Sequence, residues 1–256
     1  DALMSHALNT GQIQQAAAIV DERLELAEAV SDPWEVGDTY AMAAWLSYDL
    51  GEYTLARERA RKGFARTVDD APGVALHTLS WAAVAGVQLG GWDEVAAALK
   101  TAHGLLDAER QSRPPIYAAA LYAAAALVAE YRGKSAEADR LLAVLAETWA
   151  NSDLMNVTAH PHAPWCKQTG PIYLRRRQGF VSAHVDAPGD STRIGHHGDR
   201  LGLLCELVAA RAAWDRVDAV VAETRITGQA YGMQALAAHA DRLEGRASIA
   251  SGDVRG

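Results

Sequence analysis

The chain has 256 residues, half of them hydrophobic, which is enough to bury a substantial core. Its formal net charge of −8 argues against a general binder of nucleic acid or of anionic membranes, because such binding depends on clustered Lys and Arg. The longest nearly unbroken apolar run, 117–129, is well short of the roughly 20 residues of a membrane span. Cys166 and Cys205 form no CxxC pattern, which suits a reducing compartment. We therefore expect a cytoplasmic protein.

Helical sequence patterns recur along the chain and are separated by short corners of similar chemistry. The clearest corner lies in YDLGEYTLARERA (48–60), where Gly51 ends one helical pattern and Tyr53 opens the next. Glycine tolerates the left-handed backbone conformation that ends a helix. The predicted corners, in chain order, are Gly11, Gly51, Gly90, Gly133, Ala212 and Gly252. Their separations are 40, 39, 43, 79 and 40 residues, and 79 is close to two periods.

Small residues recur at fixed distances from these corners and predict closely packed helices. Small side chains let two helices approach to the short end of the usual ~8–10 Å spacing. Proline suits the first turn of a helix, and Pro33, Pro72 and Pro114–Pro115 follow the longer breaks. Each unit is therefore predicted to be two antiparallel helices of about 15 residues. Small residues seven positions before a corner are Ala44, Ala83, Ala126, Cys205 and Gly245, and small or β-branched residues five positions after one are Ala16, Ala56, Val95, Ala138 and Val217.

Two further expectations concern side chains on the second helix of a unit. Trp92 and Trp214 lie two positions after a corner, where an apolar side chain would anchor the turn, and we expect both in the core. The stretch RERARKGFAR (57–66) carries five basic residues and is interpreted as a solvated helix face. Glu58 and Lys62 are spaced i,i+4 and would support that helix.

The best unit matches the small, glycine, aromatic and alanine positions of tetratricopeptide repeats with Ala44, Gly51, Tyr53 and Ala56. The chain thus resembles a degenerate form of that family with longer helices, since the family period is ~34 residues. The resemblance implies an all-α fold, a right-handed α-solenoid of antiparallel helix pairs that spans 1–256 as one array.

The Ala-rich texture and the period near 40 also resemble helical repeats of large bacterial signalling proteins. In those proteins the repeats accompany a STAND-type ATP-binding module with a LuxR-type DNA-binding domain or an adenylyl cyclase domain. The chain starts at Asp1 and stops in mid-pattern, so we expect a fragment of a longer protein. The resemblance implies a non-catalytic interaction module that regulates signalling or transcription and needs no cofactor.

The expected partner is a protein segment, a domain of the same longer chain, or a small effector, with no direct nucleic-acid contact by this region. A homo-oligomer is also compatible with the sequence. First helices line the concave surface in the architecture that the resemblance implies, so aromatic residues there are binding candidates. Aromatic residues equally fill helix interfaces. The candidates are Tyr40, Trp45, Tyr48, Trp81 and Tyr122.

The segment 151–199 interrupts the repeats and is rich in Pro, Gly and His, as functional or mobile loops often are. Arg175 and Arg176 in LRRRQG are further binding candidates, because guanidinium groups match phosphate oxygens. A surface helix paired with neighbouring acids is the favoured interpretation of that run. His160, His162 and Cys166 are weak metal candidates, since their types suit zinc but their spacing matches no standard signature.

Catalytic motifs are missing from the sequence. It has no phosphate loop, no Gly-x-Ser-x-Gly elbow, no His-Glu-x-x-His and no dinucleotide fingerprint, so the chain is predicted not to be an enzyme. Two alternatives stay open. One is a small-molecule effector-sensing domain with a pocket near 151–199, and the other is a metal-dependent enzyme or switch built on His160, His162 and Cys166.

Overall fold

The computed structural model describes residues 2–10, 12–109, 114–150 and 201–252, except 203, 207 and 210. Within these ranges the regular structure is helical and contains no strand, which confirms the all-α prediction. The α-helices are α1 (Ala2–Asn9), α2 (Ile13–Ala27), α3 (Pro33–Asp49), α4 (Tyr53–Thr67), α5 (Pro72–Gln88), α6 (Trp92–Ala108), α7 (Ala119–Tyr131), α8 (Ser135–Ala150), α9 (Val217–Tyr231) and α10 (Gln234–Ser251). Residues 201–209 are also helical at their described positions.

Several sequence predictions lie outside the described residues. They concern the corner at Gly11, the segment 151–199 and its candidates His160, His162, Cys166, Arg175 and Arg176.

Proline starts two helices as the sequence predicted, and a carboxylate caps one of them. Pro33 is the first residue of α3, and the preceding Asp32 accepts a hydrogen bond from the Trp34 backbone N–H at 2.9 Å. Pro72 is likewise the first residue of α5. Pro115 caps the 3₁₀ turn Ile116–Ala118 that leads into α7. Proline is suited to these positions because the first helical N–H groups have no partner within the helix.

The predicted corners have the left-handed backbone that ends a helix. The φ angles are 83° at Gly51, 71° at Gly90, 73° at Gly133 and 77° at Gly252. Ala212 has a φ of 51°, so an alanine takes the glycine conformation at that corner. Gly232, with a φ of 70°, forms a further left-handed turn that the period did not predict.

A common hydrogen bond closes these turns. The backbone N–H after the left-handed residue donates to a carbonyl five residues earlier, as in a Schellman motif. The distances are 2.8 Å for Gly91 to Gly86, 2.9 Å for Lys134 to Ala129 and 3.0 Å for Ala213 to Val208. The corners at Gly90, Gly133 and Ala212 therefore share one turn geometry.

The described residues divide into two compact units by their contacts. The end unit comprises those within 1–19, 49–52 and 177–256, and the central unit comprises those within 20–48 and 53–176. In the end unit, α9 packs on α10, and a Cβ added at Gly51 would lie 2.8 Å from the backbone N of Ala235. In the central unit, α5 packs on α4, α6 and α7, and α7 packs on α8. Helix α7 is buried from 119 to 129.

Most of the predicted small positions are buried. Ala44, Ala56, Val95 and Ala138 have no exposed surface. Gly245 is exposed, however, so the prediction that it lets two helices approach is wrong. The expectation for Trp214 is also wrong, because 37% of this residue is exposed on the short 3₁₀ turn before α9. Trp92 is partly buried and stacks on Tyr131, with the ring centroids 5.6 Å apart.

Polar contacts in the central unit join residues roughly one period apart. Gln88 donates to the Tyr48 hydroxyl at 3.0 Å, a separation of 40 residues. Ser80 donates to the backbone carbonyl of Tyr117 at 2.8 Å, a separation of 37 residues. Arg132 pairs with Asp93 at 2.6 Å, a separation of 39 residues. Each contact therefore joins one predicted helix pair to the next pair along the chain.

The basic face of α4 makes contacts that the sequence interpretation did not include. Lys62 donates to Glu28, just after α2, at 2.9 Å instead of relying on Glu58. Arg57 and Arg61 both pair with Glu94 on α6, at 3.3 and 2.9 Å. The face therefore bridges neighbouring helices rather than standing free in solvent. No helix among the described residues is both long enough and apolar enough to cross a membrane.

Candidate functional site

A cleft of about 580 Å³ lies between α6, α7 and α8 in the central unit. Its volume falls within the ~300–1,000 Å³ that is typical of ligand sites. The cleft is open to solvent, because several of its polar lining residues are exposed, His103 and Arg140 among them.

One wall of the cleft is a single face of α6. Leu99, His103, Leu106 and Asp107 line it, and their spacing of three or four residues places them on the same side of a helix. The leucines supply apolar surface, and Leu106 is 6% exposed. His103 and Asp107 are exposed and bring polar groups to the rim.

The opposite wall is a longer face of α8. It runs from Glu137 through Leu141 and Val144 to Thr148. At 1.5 Å per residue this face is about 16 Å long. Val144 is partly buried, and Thr148 donates its hydroxyl to the Val144 carbonyl at 2.8 Å, which leaves an apolar stripe along the middle of the wall. The cleft is therefore elongated, with apolar walls and polar edges.

Tyr122 of α7 lines the cleft between these walls. The residue is 3% exposed, and its ring lies 5.9 Å from the His103 ring. Within the described residues, its hydroxyl has no hydrogen-bond partner. Burial raises the pKa of this phenol to about 12, and the charge of Asp107 adds to the increase. A neutral hydroxyl therefore lies in the cleft, within electrostatic reach of a carboxylate.

Among the described residues that line the cleft, Asp107, Glu137 and Glu147 contribute three carboxylates, and Arg140 contributes one guanidinium. Lys134 pairs with Glu137 at 3.6 Å and partly balances that charge. Asp107 forms no ion pair with any described residue. A positively charged ligand would therefore be attracted to the α6 side of the cleft.

Tyr40, a predicted binding residue, does not line the cleft. Its hydroxyl and its ring both have partners within the protein. It is 3% exposed, and its hydroxyl donates to Glu28 at 2.9 Å. Lys62 lies over its ring, 5.5 Å from the centroid, and Arg66 lies 5.9 Å from it. Lys62 and Arg66 also bind the Glu28 carboxylate, at 2.9 and 2.8 Å. These contacts account for Tyr40 without a ligand.

Tyr48, Trp81 and Trp45 belong to helix packing in the central unit. The Tyr48 ring lies 5.9 Å from Trp81 and 5.3 Å from Tyr53. Trp81 is 1% exposed, and Trp45 is partly buried against the same core. Partner contact by these residues stays a prediction. Among the predicted aromatic candidates, Tyr122 is the one that lines the cleft.

Sequence reasoning missed the two walls of the cleft. Residues such as Leu99, Leu106, Leu141 and Val144 follow the same apolar spacing as residues that pack in the core, so the pattern did not distinguish them. Their helices are second helices of the predicted pairs, whereas the predicted aromatic candidates lie on first helices. The described residues include no group of three or more His, Cys, Asp or Glu side chains arranged to hold a metal ion.

No protein-family model matches this sequence, and no curated protein or solved structure is significantly similar to it. The geometry of the cleft is therefore the main basis for a functional proposal.

Proposed function

We propose that this chain is a non-catalytic helical-repeat module that binds a protein segment in the cleft between α6, α7 and α8. The observation that carries the proposal is the shape of the cleft. Its apolar walls are faces of two helices, and one of them extends for about three turns. Grooves between helices bind amphipathic helical segments through apolar side chains spaced along one face.

The repeat supports a solenoid of stacked helix pairs as the scaffold for this site. Equivalent left-handed corners at Gly90 and Gly133 end α5 and α7, and polar contacts join residues about one period apart. In repeat arrays each unit packs on its neighbours, which creates extended binding surfaces. The resemblance noted above suggests a regulatory region of a bacterial signalling or transcription-regulatory protein. The bound segment would then come from another protein or from another part of the same longer chain.

A small effector is the second candidate occupant. The cleft volume of about 580 Å³ favours it, since metabolites occupy sites of this size. The open, elongated form of the cleft favours a segment, because a small ligand usually has most of its surface buried. The two candidates make different predictions about which molecules are selected.

A peptide-display experiment tests the proposal. Random peptides of about 12 residues, which span roughly three helical turns, would be selected on the wild-type protein. Val144→Trp fills the cleft, and Ala143→Trp places the same side chain at the neighbouring exposed position of α8. We expect selected peptides to lose at least about tenfold in affinity, or 1.4 kcal/mol, on Val144→Trp. They should keep their affinity on Ala143→Trp, as measured by fluorescence anisotropy.

Two results would count against a segment-binding cleft. One is the failure of any peptide to be enriched over an unrelated protein. The other is equal binding to both tryptophan variants, which would place the peptides elsewhere on the molecule. If instead metabolites stabilise the wild type and Ala143→Trp but not Val144→Trp, the occupant is a small effector. A ligand at 100 times its Kd stabilises a protein by about 2.7 kcal/mol, which a thermal-shift assay detects.

A further inference from the structure

Ion pairs join neighbouring second helices of the central unit in two places. Arg59 of α4 pairs with Asp21 of α2 at 2.6 Å. Arg57 and Arg61 of α4 both pair with Glu94 of α6, at 3.3 and 2.9 Å. Among the described residues, α6 and α8 share no ion pair, and the cleft lies between these two helices. The cleft therefore lies in a groove that such pairs leave unbridged.

The repeat places a matching pair of charges across the cleft. Helices α4, α6 and α8 each begin two residues after a left-handed corner, so their positions can be compared directly. Lys100 is the ninth residue of α6, as Arg61 is of α4. Glu137 is the third residue of α8, as Glu94 is of α6. Lys100 and Glu137 thus occupy the positions of an ion pair that is formed one unit earlier in the chain.

Both side chains belong to the rim of the cleft. Glu137 lines it. Lys100 precedes His103 by three residues and Asp107 by seven, and this spacing puts it on the cleft side of α6. Glu137 pairs with Lys134, just before α8, at 3.6 Å. Lys100 is exposed and forms no ion pair with a described residue, so it is available to Glu137.

We propose, building on the segment-binding function above, that Lys100 and Glu137 form a reversible bridge that closes the cleft. The closed groove repeats the contact between Arg61 and Glu94. Exposed ion pairs are weak, so the bridge forms and breaks readily. A segment binds the open cleft, so its apparent Kd rises as the open fraction falls. The arrangement in which Glu137 pairs with Lys134 is the open state.

An uncharged peptide tests the bridge, because the peptide then contributes no charge of its own. It is an amphipathic helix of about 14 residues with Leu on one face and Gln on the other. Lys100→Gln and Glu137→Gln each remove the bridge and should tighten binding about two- to fivefold, measured by fluorescence anisotropy. Lys134→Gln removes the same charge from a residue outside the bridge and should not tighten binding. Circular dichroism melting verifies that each variant is folded.

The arrangement on α4 suggests a variant that favours the closed cleft. Ala96 is exposed and is the fifth residue of α6, and Arg57 is the fifth residue of α4. Ala96→Arg therefore adds a second cation for Glu137 and should weaken binding of the uncharged peptide about two- to fivefold. Ala96→Met adds a long side chain without a charge and should leave the affinity unchanged. The effect of Ala96→Arg should vanish when Glu137→Gln is also present.

Spin labels measure the closing of the cleft without any peptide. Ala97→Cys on α6 and Ala143→Cys on α8 place the labels at exposed positions that do not line the cleft. Both native cysteines are replaced by serine, and pulsed electron paramagnetic resonance gives the distance between the two labels. We expect Ala96→Arg to enrich the shorter distances and Glu137→Gln to enrich the longer ones.

The outcomes separate the bridge from the function on which it rests. Identical label distances in the wild type and both variants would show that the cleft does not close, which overturns the proposal. Equal tightening by Lys134→Gln and Lys100→Gln would also overturn it, because the effect would then follow net charge. If the label distances shift as expected but neither this peptide nor any selected peptide binds, the bridge is correct and the segment-binding function is wrong.

Discussion

Tyr40 and Tyr122 provide the most informative comparison in the central unit. Both are 3% exposed, and they lie on α3 and α7, two first helices of predicted pairs. Each lies 11 positions before a predicted corner, Gly51 for Tyr40 and Gly133 for Tyr122, so the two residues share one position in the repeat. The Tyr40 hydroxyl donates to Glu28, and two cations lie over its ring. Tyr122 lines a cleft, and no described residue hydrogen-bonds to its hydroxyl.

The difference shows that burial alone does not identify a binding residue. The two tyrosines are equally buried, but the Tyr40 hydroxyl bonds to Glu28, whereas Tyr122 lines a cleft. The tyrosine that lines a cleft is therefore the better candidate for contact with a ligand.

The largest expected effect comes from one substitution made at two glycines. At Gly63, on α4, an added Cβ would meet the Tyr40 Cβ and would lie 2.8 Å from Cγ2 of Thr78. At Gly104, on α6, an added Cβ would have no heavy atom of the described residues within 4 Å, apart from its chain neighbours and the backbone of its own helix. Overpacking costs about 1–3 kcal/mol, and Ala gains up to about 1 kcal/mol over Gly in a helix.

We therefore expect Gly63→Ala to lower the free energy of unfolding by about 1–2 kcal/mol, and Gly104→Ala to raise it by up to about 1 kcal/mol. Urea denaturation of the two variants and the wild type measures the difference. Equal effects would mean that side chains pack no more tightly around Tyr40 than beside the cleft. The expected difference in packing between the two regions would then be wrong.

The next effect comes from deleting each hydroxyl. Tyr40→Phe removes a hydrogen bond to a carboxylate and should destabilise the protein by about 1–2 kcal/mol. Tyr122→Phe removes a hydroxyl that has no partner among the described residues, so the free energy of unfolding should stay the same or rise by up to about 1 kcal/mol. Thermal and urea denaturation at neutral pH measure both. A Tyr122→Phe variant that loses as much stability as Tyr40→Phe would show that the fold itself uses the Tyr122 hydroxyl.

A smaller effect is expected in how the free energy of unfolding depends on pH near each tyrosine. Burial, together with Asp107, raises the pKa of Tyr122 to about 12 from the unfolded value of 10.0. The folded state thus keeps the phenol neutral while the unfolded state ionises it. The resulting stability is complete below pH 10 and is lost as the pH rises toward 12. Relative to Tyr122→Phe, the wild type should lose about 1 kcal/mol by pH 11, measured by urea denaturation.

Near Tyr40, the stability should depend on pH in the acidic range instead of the alkaline range. Hydrogen bonds from Lys62 and Tyr40 lower the pKa of Glu28 to about 2 from 4.5. The stability that this carboxylate contributes is present above pH 4.5 and is lost as the pH falls toward 2. Glu28→Gln should therefore flatten the acid limb of the stability profile and leave the alkaline limb unchanged. The reverse pattern would contradict the assignment of these contacts.

The sequence predicted the positions of the turns because they depend on local chemistry. A helix needs a residue that accepts left-handed backbone at its end, and Gly51, Gly90 and Gly133 supply it at regular intervals. Ala212 was predicted from the spacing and from the flanking residues Trp214 and Val217, and its φ of 51° agrees. Gly232 was missed because it lies half a period away from its neighbours. Trp214 was misassigned because a position in a repeat does not guarantee that another helix covers it.

The sequence by itself determined that the described chain is helical, where several helices begin and end, and that many of the small residues beside the corners are buried. These properties follow from backbone preferences and from apolar spacing within about 20 residues. The tertiary structure decided which tyrosine is satisfied and where a cleft forms. Lys62 reaches Glu28 from 34 residues away, and the cleft takes its walls from α6 and α8 and its tyrosine from α7. Contacts between distant helices leave no local signal in the sequence, so only the fold could separate Tyr40 from Tyr122.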